Sequence, residues 1–255
     1  MSDSLLIVKG LAMQFGGLLA VDELSFNIAP KEIVAIIGPN GAGKTTVFNC
    51  LSGFYRPTSG TIHFMGRAIE RASSHQISRL GLVRTFQNIR LFKQMTVVEN
   101  LLVAQYTLSD TRLWSGLFKS RNFLQKEEEA LQNASNWLSL LGLKQDANRE
   151  AGNLPYGQQR RLEIARCMVT QPKLLLLDEP AAGLNPIETS ELKILIEQLR
   201  TEFGVTVLLI EHDMSLVMEI SDKIVVLESG RPIAEGSPVE IQNSEKVIKA
   251  YLGDS

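Results

Sequence analysis

Two short stretches carry residue types whose spacing can do chemistry. The first is Gly38-Pro39-Asn40-Gly41-Ala42-Gly43-Lys44-Thr45, which fits the pattern G-x-x-x-x-G-K-[ST] of a phosphate-binding loop. Its glycines let the backbone curl so that several N–H groups point inward at phosphate oxygens. A helix opening at the end of the loop adds a partial positive charge. Lys44 can reach the β- and γ-phosphates of a nucleotide, and the Thr45 hydroxyl can ligate Mg²⁺. The second stretch is Leu174-Leu175-Leu176-Leu177-Asp178-Glu179, four leucines ending in two carboxylates. At the carboxyl end of a buried strand, Asp178 is placed to hold Mg²⁺ through water. Glu179 is placed to orient an attacking water and take its proton. A chance glycine-rich turn and a merely solvated acidic pair are the alternatives. The order of loop first, apolar strand with terminal acids later, favours nucleotide hydrolysis.

Both stretches need rigid supports. Ile33-Val34-Ala35-Ile36-Ile37 is a short β-branched run that predicts a buried strand before the loop. Thr46-Val47-Phe48-Asn49-Cys50-Leu51 predicts a helix after it, ending near Gly53. Leu5–Leu11 and Leu24–Ile28 predict strands about a Gly16-Gly17 turn, and Thr61–Phe64 resumes extended structure after Thr58-Ser59-Gly60. These strands lack the helices that parallel crossovers need, so an antiparallel sheet is expected beside a parallel one. Val83-Arg84-Thr85-Phe86 predicts a short strand, followed by Gln87.

From about Val97 to Leu143 helix formers dominate, with Leu131, Ala134, Leu138 and Leu141 at spacings that share a helical face. The run Lys126-Glu127-Glu128-Glu129 reads as a solvated face, and Leu108–Phe123, without clear period, as a surface loop or insertion. Gln158–Thr170 predicts a helix with Leu162, Ala165 and Val169 inward. Ile187–Phe203 predicts another, with Leu192, Leu195, Ile196, Leu199 and Phe203 inward. Thr206–Ile210 reads as a buried strand followed by Glu211-His212-Asp213. Lys223–Leu227 and Arg231–Glu235 read as a hairpin about Ser229-Gly230.

Composition bounds the rest. A chain of 255 residues, 44% hydrophobic and 21% charged, suits an α/β core. A formal net charge of −2 gives no bulk reason to expect a nucleic-acid partner. No apolar run approaches a membrane span, and Met1-Ser2-Asp3-Ser4 lacks a secretory signal's pattern. Cys50 and Cys167 read as small buried hydrophobes in a reducing compartment. The histidines are scattered, which argues against a metal site built from Cys and His.

Further motifs occur in one order along the chain: Gln87 after Val83–Phe86, Leu154-Pro155-Tyr156-Gly157-Gln158, Ala182-Gly183-Leu184-Asn185, and His212 after a buried strand. On these and the phosphate loop, the chain resembles the nucleotide-binding subunit of ATP-binding-cassette (ABC) transporters over essentially its whole length. Gln87 stands at the family's glutamine loop, which senses Mg²⁺ and attacking water. Tyr156, Gly157 and Gln158 stand in the signature that usually reads Leu-Ser-Gly-Gly-Gln. Residues 182–185 stand at the dimer-contact loop, usually Ser-Ala-Leu-Asp. His212 stands at the switch histidine, which reaches the γ-phosphate. Phe15 stands where an aromatic stacks on adenine; filling the core is its alternative.

The resemblance implies an α/β P-loop NTPase (RecA-like) fold: a parallel core with an antiparallel β subdomain and an inserted α-helical subdomain. The single cassette would divide into 1–87 plus 171–255 as the catalytic part and 88–170 as the helical part with the signature. It implies ATP and Mg²⁺, with residues Gly38 to Thr45 and Thr46 on the nucleotide, Thr45, Gln87 and Asp178 at the metal, and Glu179, His212 and Gln87 in hydrolysis. The segments Val83–Gln87, Glu99–Ala104, Tyr156–Arg166 and Ala181–Pro186 are similar to those of bacterial branched-chain amino-acid importers. The insertion near Leu108–Phe123 resembles the LivG type among their two ATPase subunits.

The implied partners are integral membrane permease subunits, a second ATP-binding subunit, homologous or identical, and, indirectly, a periplasmic solute-binding protein. The implied location is peripheral, on the cytoplasmic face of the inner membrane. Leu91-Phe92 would receive a helix of the permease, core packing being the alternative. Rival readings are an ATPase of another transporter, such as lipopolysaccharide export, a soluble cassette protein, and a kinase. The single cassette without sustained heptads speaks against the soluble class, and the signature segment against a kinase. Pro155 departs from the family's serine. Proline suits the first position of a helix but offers the γ-phosphate no hydroxyl.

Overall fold

The computed structural model describes residues 4–106 and 121–252, and side chains throughout these except at 121–124 and 252. The chain forms two compact units, Met1–Gln87 with Lys173–Ser255, and Asn88–Pro172. Most of the segment expected as an insertion, Leu108–Phe123, lies outside the described residues.

In the first unit, strands β1 (Leu6–Phe15), β2 (Leu18–Ile28), β4 (Ser59–Phe64) and β5 (Arg67–Ala68) make an antiparallel sheet in the order β2-β1-β4-β5. The first two strands run further than their alternation predicts. They close on a two-residue Gly16-Gly17 turn between the paired Phe15 and Leu18, the loop length that suits a tight hairpin.

The second sheet has the order β10-β9-β3-β8-β7-β6. Its strands are β3 (Ile33–Ile37), β6 (Leu82–Arg84), β7 (Leu174–Asp178), β8 (Thr206–Ile210), β9 (Lys223–Glu228) and β10 (Arg231–Gly236). The run β9-β3-β8-β7-β6 is parallel, and β10 pairs with β9 as an antiparallel edge. Every residue of β3, β7 and β8 is buried. Strands covered on both faces need unbroken apolar runs, which is why Ile33–Ile37 and Leu174–Leu177 do not alternate. Ser229 and Gly230 both have positive φ, 48° and 83°, the conformation of a two-residue hairpin between β9 and β10.

Helix α1 (Lys44–Leu51) follows β3, and α2 (Ser74–Arg79) starts on a Ser73–Gln76 capping box. In the second unit lie α3 (Val97–Tyr106), α4 (Arg121–Leu140) and α5 (Tyr156–Met168). Ala134, Leu138 and Leu141 are buried as their spacing requires, but Leu131 is 45% exposed; Trp137 is buried instead. Asn100 is fully buried; it accepts from the Phe92 N–H at 2.9 Å and donates to the Phe92 and Thr96 carbonyls at 3.1 and 3.0 Å. That amide fixes the segment before α3. Within it Phe92 is half exposed and does not fill the core.

Back in the first unit, α6 (Pro186–Thr201) starts on Asn185, which accepts from the N–H groups of Ile187 and Glu188, with Glu188 closing the capping box. Its inward face holds Leu192, Leu195, Ile196 and Leu199. Phe203, expected on that face, lies beyond the last turn and is exposed, because the helix has ended at Thr201. Short helices α7 (Met214–Ile220), α8 (Pro238–Gln242) and α9 (Glu245–Leu252) complete the described chain.

Candidate active site

The phosphate-binding loop leaves the carboxyl end of β3 and enters α1 at Gly43. Gly43 has φ 96°, and a Cβ there would lie 2.4 Å from the Ala20 carbonyl oxygen. At Gly38 a Cβ would lie 2.1 Å from the Leu227 oxygen. Glycine is needed at both places because the loop is pressed against β2 and β9. The β9–β10 turn supports it from the side, with the Gly230 N–H donating to the Ala42 carbonyl at 3.2 Å. Lys44 is buried, its ammonium donating to the Gly38 and Pro39 carbonyls at 2.7 and 3.0 Å. Burial pushes this ammonium below the usual lysine range, while the Glu179 charge works the other way.

Asp178 closes β7 and is 3% exposed. Its Oδ2 accepts from Arg84 Nη2 at 2.6 Å. The same guanidinium donates to Asn49 Oδ1 at 2.7 Å and Ser52 Oγ at 3.2 Å, and lies 5.3 Å from the ring centres of both Phe48 and Phe86. Arg84 therefore ties the loop helix α1, β6 and β7 together through one planar cation. Sequence reasoning read Arg84 only as a strand residue. The signal available was a charged side chain closing a short apolar strand, Leu82–Arg84.

Glu179 is the next residue and has φ 47°, a left-handed conformation uncommon for a residue with a Cβ. Its backbone N–H still bonds to the Ile210 carbonyl at 2.9 Å. Its carboxylate is met from both sides. Gln87 Nε2 donates to Oε2 at 2.8 Å, and His212 Nε2 lies 2.7 Å from Oε1. These three residues leave the carboxyl ends of the neighbouring strands β6, β7 and β8, so the sheet order itself brings them together. A carboxylate held by an amide and an imidazole can orient a water and accept its proton.

A cleft of about 550 Å³ runs along Asn40, Gly41, Ala42, Gly43, Lys44, Thr45 and Thr46. Phe15, Leu18, Glu179 and His212 line it as well. Phe15 is 40% exposed and meets Tyr55 edge to face at 5.2 Å, so it does not fill the core.

Tyr156, Gly157 and Gln158 belong to the second unit. They form the first turn of α5, which no side chain caps. Pro155, expected at the first helical position, is instead the N-cap, with φ −53° and ψ 151°. Its carbonyl accepts the first helical bond, from the Gln159 N–H at 3.0 Å. The first-turn N–H groups thus point from a helix start that has no oxygen-bearing cap. Buried Arg160 pairs with Glu163 at 3.0 Å and reaches the Tyr156 hydroxyl at 3.3 Å.

Residues 21–182 match the ABC transporter family model, and residues 231–255 match that of branched-chain amino acid ATP-binding cassette transporters. The high-affinity branched-chain amino acid transport ATP-binding protein LivG of Salmonella typhimurium is 60% identical over 255 residues, the whole of both chains. The corresponding protein BraF of Pseudomonas aeruginosa is 59% identical over the same span. A crystal structure of an ABC transporter's ATP-binding cassette in its ADP conformation superposes with a TM-score of 0.86 at 33% identity, covering 98% of this chain and 99% of that one.

Proposed function

The chain belongs to the ABC transporter family, and we propose that it is the ATP-hydrolysing subunit of a branched-chain amino-acid importer, energising uptake through separate membrane subunits. The observation that carries the catalytic part is the convergence of Gln87 and His212 on the two oxygens of Glu179 beside the phosphate-binding loop. The relatives' names and the match of residues 231–255 support the transported class.

In this reading the loop N–H groups of Gly38–Thr46 and the Lys44 ammonium bind the phosphates of ATP, and Phe15 stacks on the base. Gln87 orients the attacking water, and Glu179 takes its proton. His212 sits against Glu179 and reaches the γ-phosphate. In the same reading a divalent cation would be held by oxygen donors, the Thr45 hydroxyl, the Asp178 carboxylate and the Gln87 amide oxygen, a donor set of the type that suits Mg²⁺. Among the described residues no group of three or more His, Cys, Asp or Glu side chains could hold a metal by itself, so nucleotide phosphates would complete a Mg²⁺ shell. Mg²⁺ when bound neutralises charge on the phosphates. The tether from Arg84 leaves Asp178 oriented by one oxygen.

The signature Tyr156-Gly157-Gln158 would act on the ATP of a second ATP-binding subunit, through the uncapped N–H groups of α5. No helix among the described residues is long and apolar enough to cross a membrane. The family's work is transport, so we place the chain peripherally on the cytoplasmic face of the membrane, bound to permease subunits and served by a periplasmic solute-binding protein.

The test is reconstitution. The chain, a partner ATPase subunit and membrane subunits are placed in vesicles with the binding protein, and uptake of labelled leucine is followed with ATP. Uptake that needs ATP and stops with Glu179→Gln is expected. ATP hydrolysis without uptake of any branched-chain amino acid would refute the assignment of the solute.

A further inference from the structure

Glu211 directly follows β8 and is 3% exposed. The parallel ladder of β7 and β8 ends at Asp178 opposite Ile210. One more backbone bond, from Glu179 to Ile210, extends it. Past that point the Glu211 side chain takes over from the backbone. Its Oε1 accepts from the Ala181 N–H at 2.6 Å. Its Oε2 accepts from the N–H groups of His212 at 2.9 Å and Asp213 at 3.4 Å. Asp213 then caps α7 by accepting from the Ser215 and Leu216 N–H groups. One carboxylate therefore ties the chain two residues beyond Glu179 to the turn that carries His212.

We propose that Glu211 is a positioning residue for hydrolysis, setting the distance between Glu179 and His212 by holding the loops that carry them. The inference rests on the reading of Glu179 and His212 as the hydrolytic pair. A carboxylate suits the task because it accepts on both oxygens and donates on neither. Burial pushes the Glu211 carboxyl above its ordinary range; the N–H groups of Ala181, His212 and Asp213 pull it back, and the Glu179 charge adds to the rise. The amide of Glu211→Gln would keep the shape but turn an NH₂ toward one of the two loops. There a donor would meet a donor, and that loop must move. None of the hydrogen bonds that Glu211 accepts from Ala181, His212 and Asp213 comes from the phosphate-binding loop, so ATP binding should be spared.

The experiment is steady-state ATPase of the complex assembled with its membrane subunits. In Glu211→Gln, kcat is expected to fall about ten- to a hundredfold, the scale of a small misplacement of reacting groups. KM for ATP should stay within about twofold. The double variant Glu211→Gln with His212→Ala should be no slower than the slower single variant, since both act through one pair. An unchanged kcat, a loss confined to KM, or losses that multiply would each overturn the proposal. Should Glu211→Gln fail to fold, Glu211→Asp replaces it. The carboxylate, shorter by one methylene, is expected not to reach Ala181 and the His212 and Asp213 N–H groups together, and wild-type turnover there would refute the bridge. Glu179→Gln run in parallel separates the two ideas. If it leaves turnover intact, the hydrolytic reading itself fails. If it abolishes turnover while Glu211→Gln does not, only the positioning role fails.

Discussion

Arg84 and Asp178 form a buried ion pair, 2.6 Å from Nη2 to Oδ2, with side-chain exposures of 5% and 4%. It places a fixed cation at the end of β6 against the carboxylate that ends β7. Two desolvated charges are costly unless each keeps its partner. Here Asn49 and Ser52 take further guanidinium N–H groups.

Removing the cation should therefore be severe. Arg84→Ala leaves Asp178 buried without its charge partner and is expected to lower stability by about 3–5 kcal/mol. Arg84→Lys should recover only part of this, because an ammonium lacks the planar fork and the fit between the Phe48 and Phe86 rings. Denaturant unfolding of the purified chain measures both. Wild-type stability in Arg84→Ala would show that the pair contributes nothing.

Glu179→Gln should abolish turnover while ATP still binds. The amide keeps the shape and one acceptor oxygen but cannot take a proton from water. ATP binding by equilibrium titration, with phosphate release measured on the same sample, gives the answer. Near-normal phosphate release, free of contaminating ATPase, would remove Glu179 from the mechanism.

Pro155 is the N-cap of α5 and offers no side-chain acceptor. Pro155→Ser should stabilise the helix start by roughly 0.5–2 kcal/mol and leave ATPase of the complex intact or raised. Gly157→Asp should block it, because a carboxylate would face phosphate at that same start. A raised melting temperature in the first variant and lost turnover in the second are the expected pair. A severe loss in Pro155→Ser would show that the segment does not face phosphate.

Cys50 gives a pH dependence with a definite sign. Burial pushes its thiol from 9.0 to about 11, so the unfolded chain gives up this proton before the folded one does. The stabilisation is complete below pH 9.0 and is lost as pH rises from there to about 11. Stability should fall across that interval, and the fall should be shallower in Cys50→Ala when each variant is referred to its own neutral-pH value. Identical slopes for the two proteins would contradict it.

Much of this architecture was legible without coordinates, for a physical reason. The phosphate-binding loop is a local object: glycines, lysine and threonine lie within eight residues, and their spacing alone defines the curl. Strands β3 and β7 were legible because unbroken Ile, Val and Leu runs have no stable place except between two covering layers. The periodicity of Ile187–Phe203 found α6 but overran its end, since an apolar residue one turn past a helix still keeps the spacing. The position of Pro155 was off by one residue for a similar reason. Both the N-cap and the first helical position accept its fixed φ, and only ψ tells them apart.

What tertiary structure alone decided is the contact between distant parts of the chain. Gln87 and Glu179 are 92 residues apart, and Glu179 and His212 are 33 apart. Family resemblance named these residues, but no pattern in the chain specifies that one carboxylate receives both. The sheet order β8-β7-β6 does so, by ending three strands side by side. The left-handed turn at Glu179, the hold of Arg84 on Asp178 and the three N–H groups gathered by Glu211 belong to the same class. Sequence by itself determined which chemical groups this protein owns and which strands would be buried. The packing of those strands determined which groups meet, because hydrogen bonds and ion pairs depend on distances that spacing along a chain does not set.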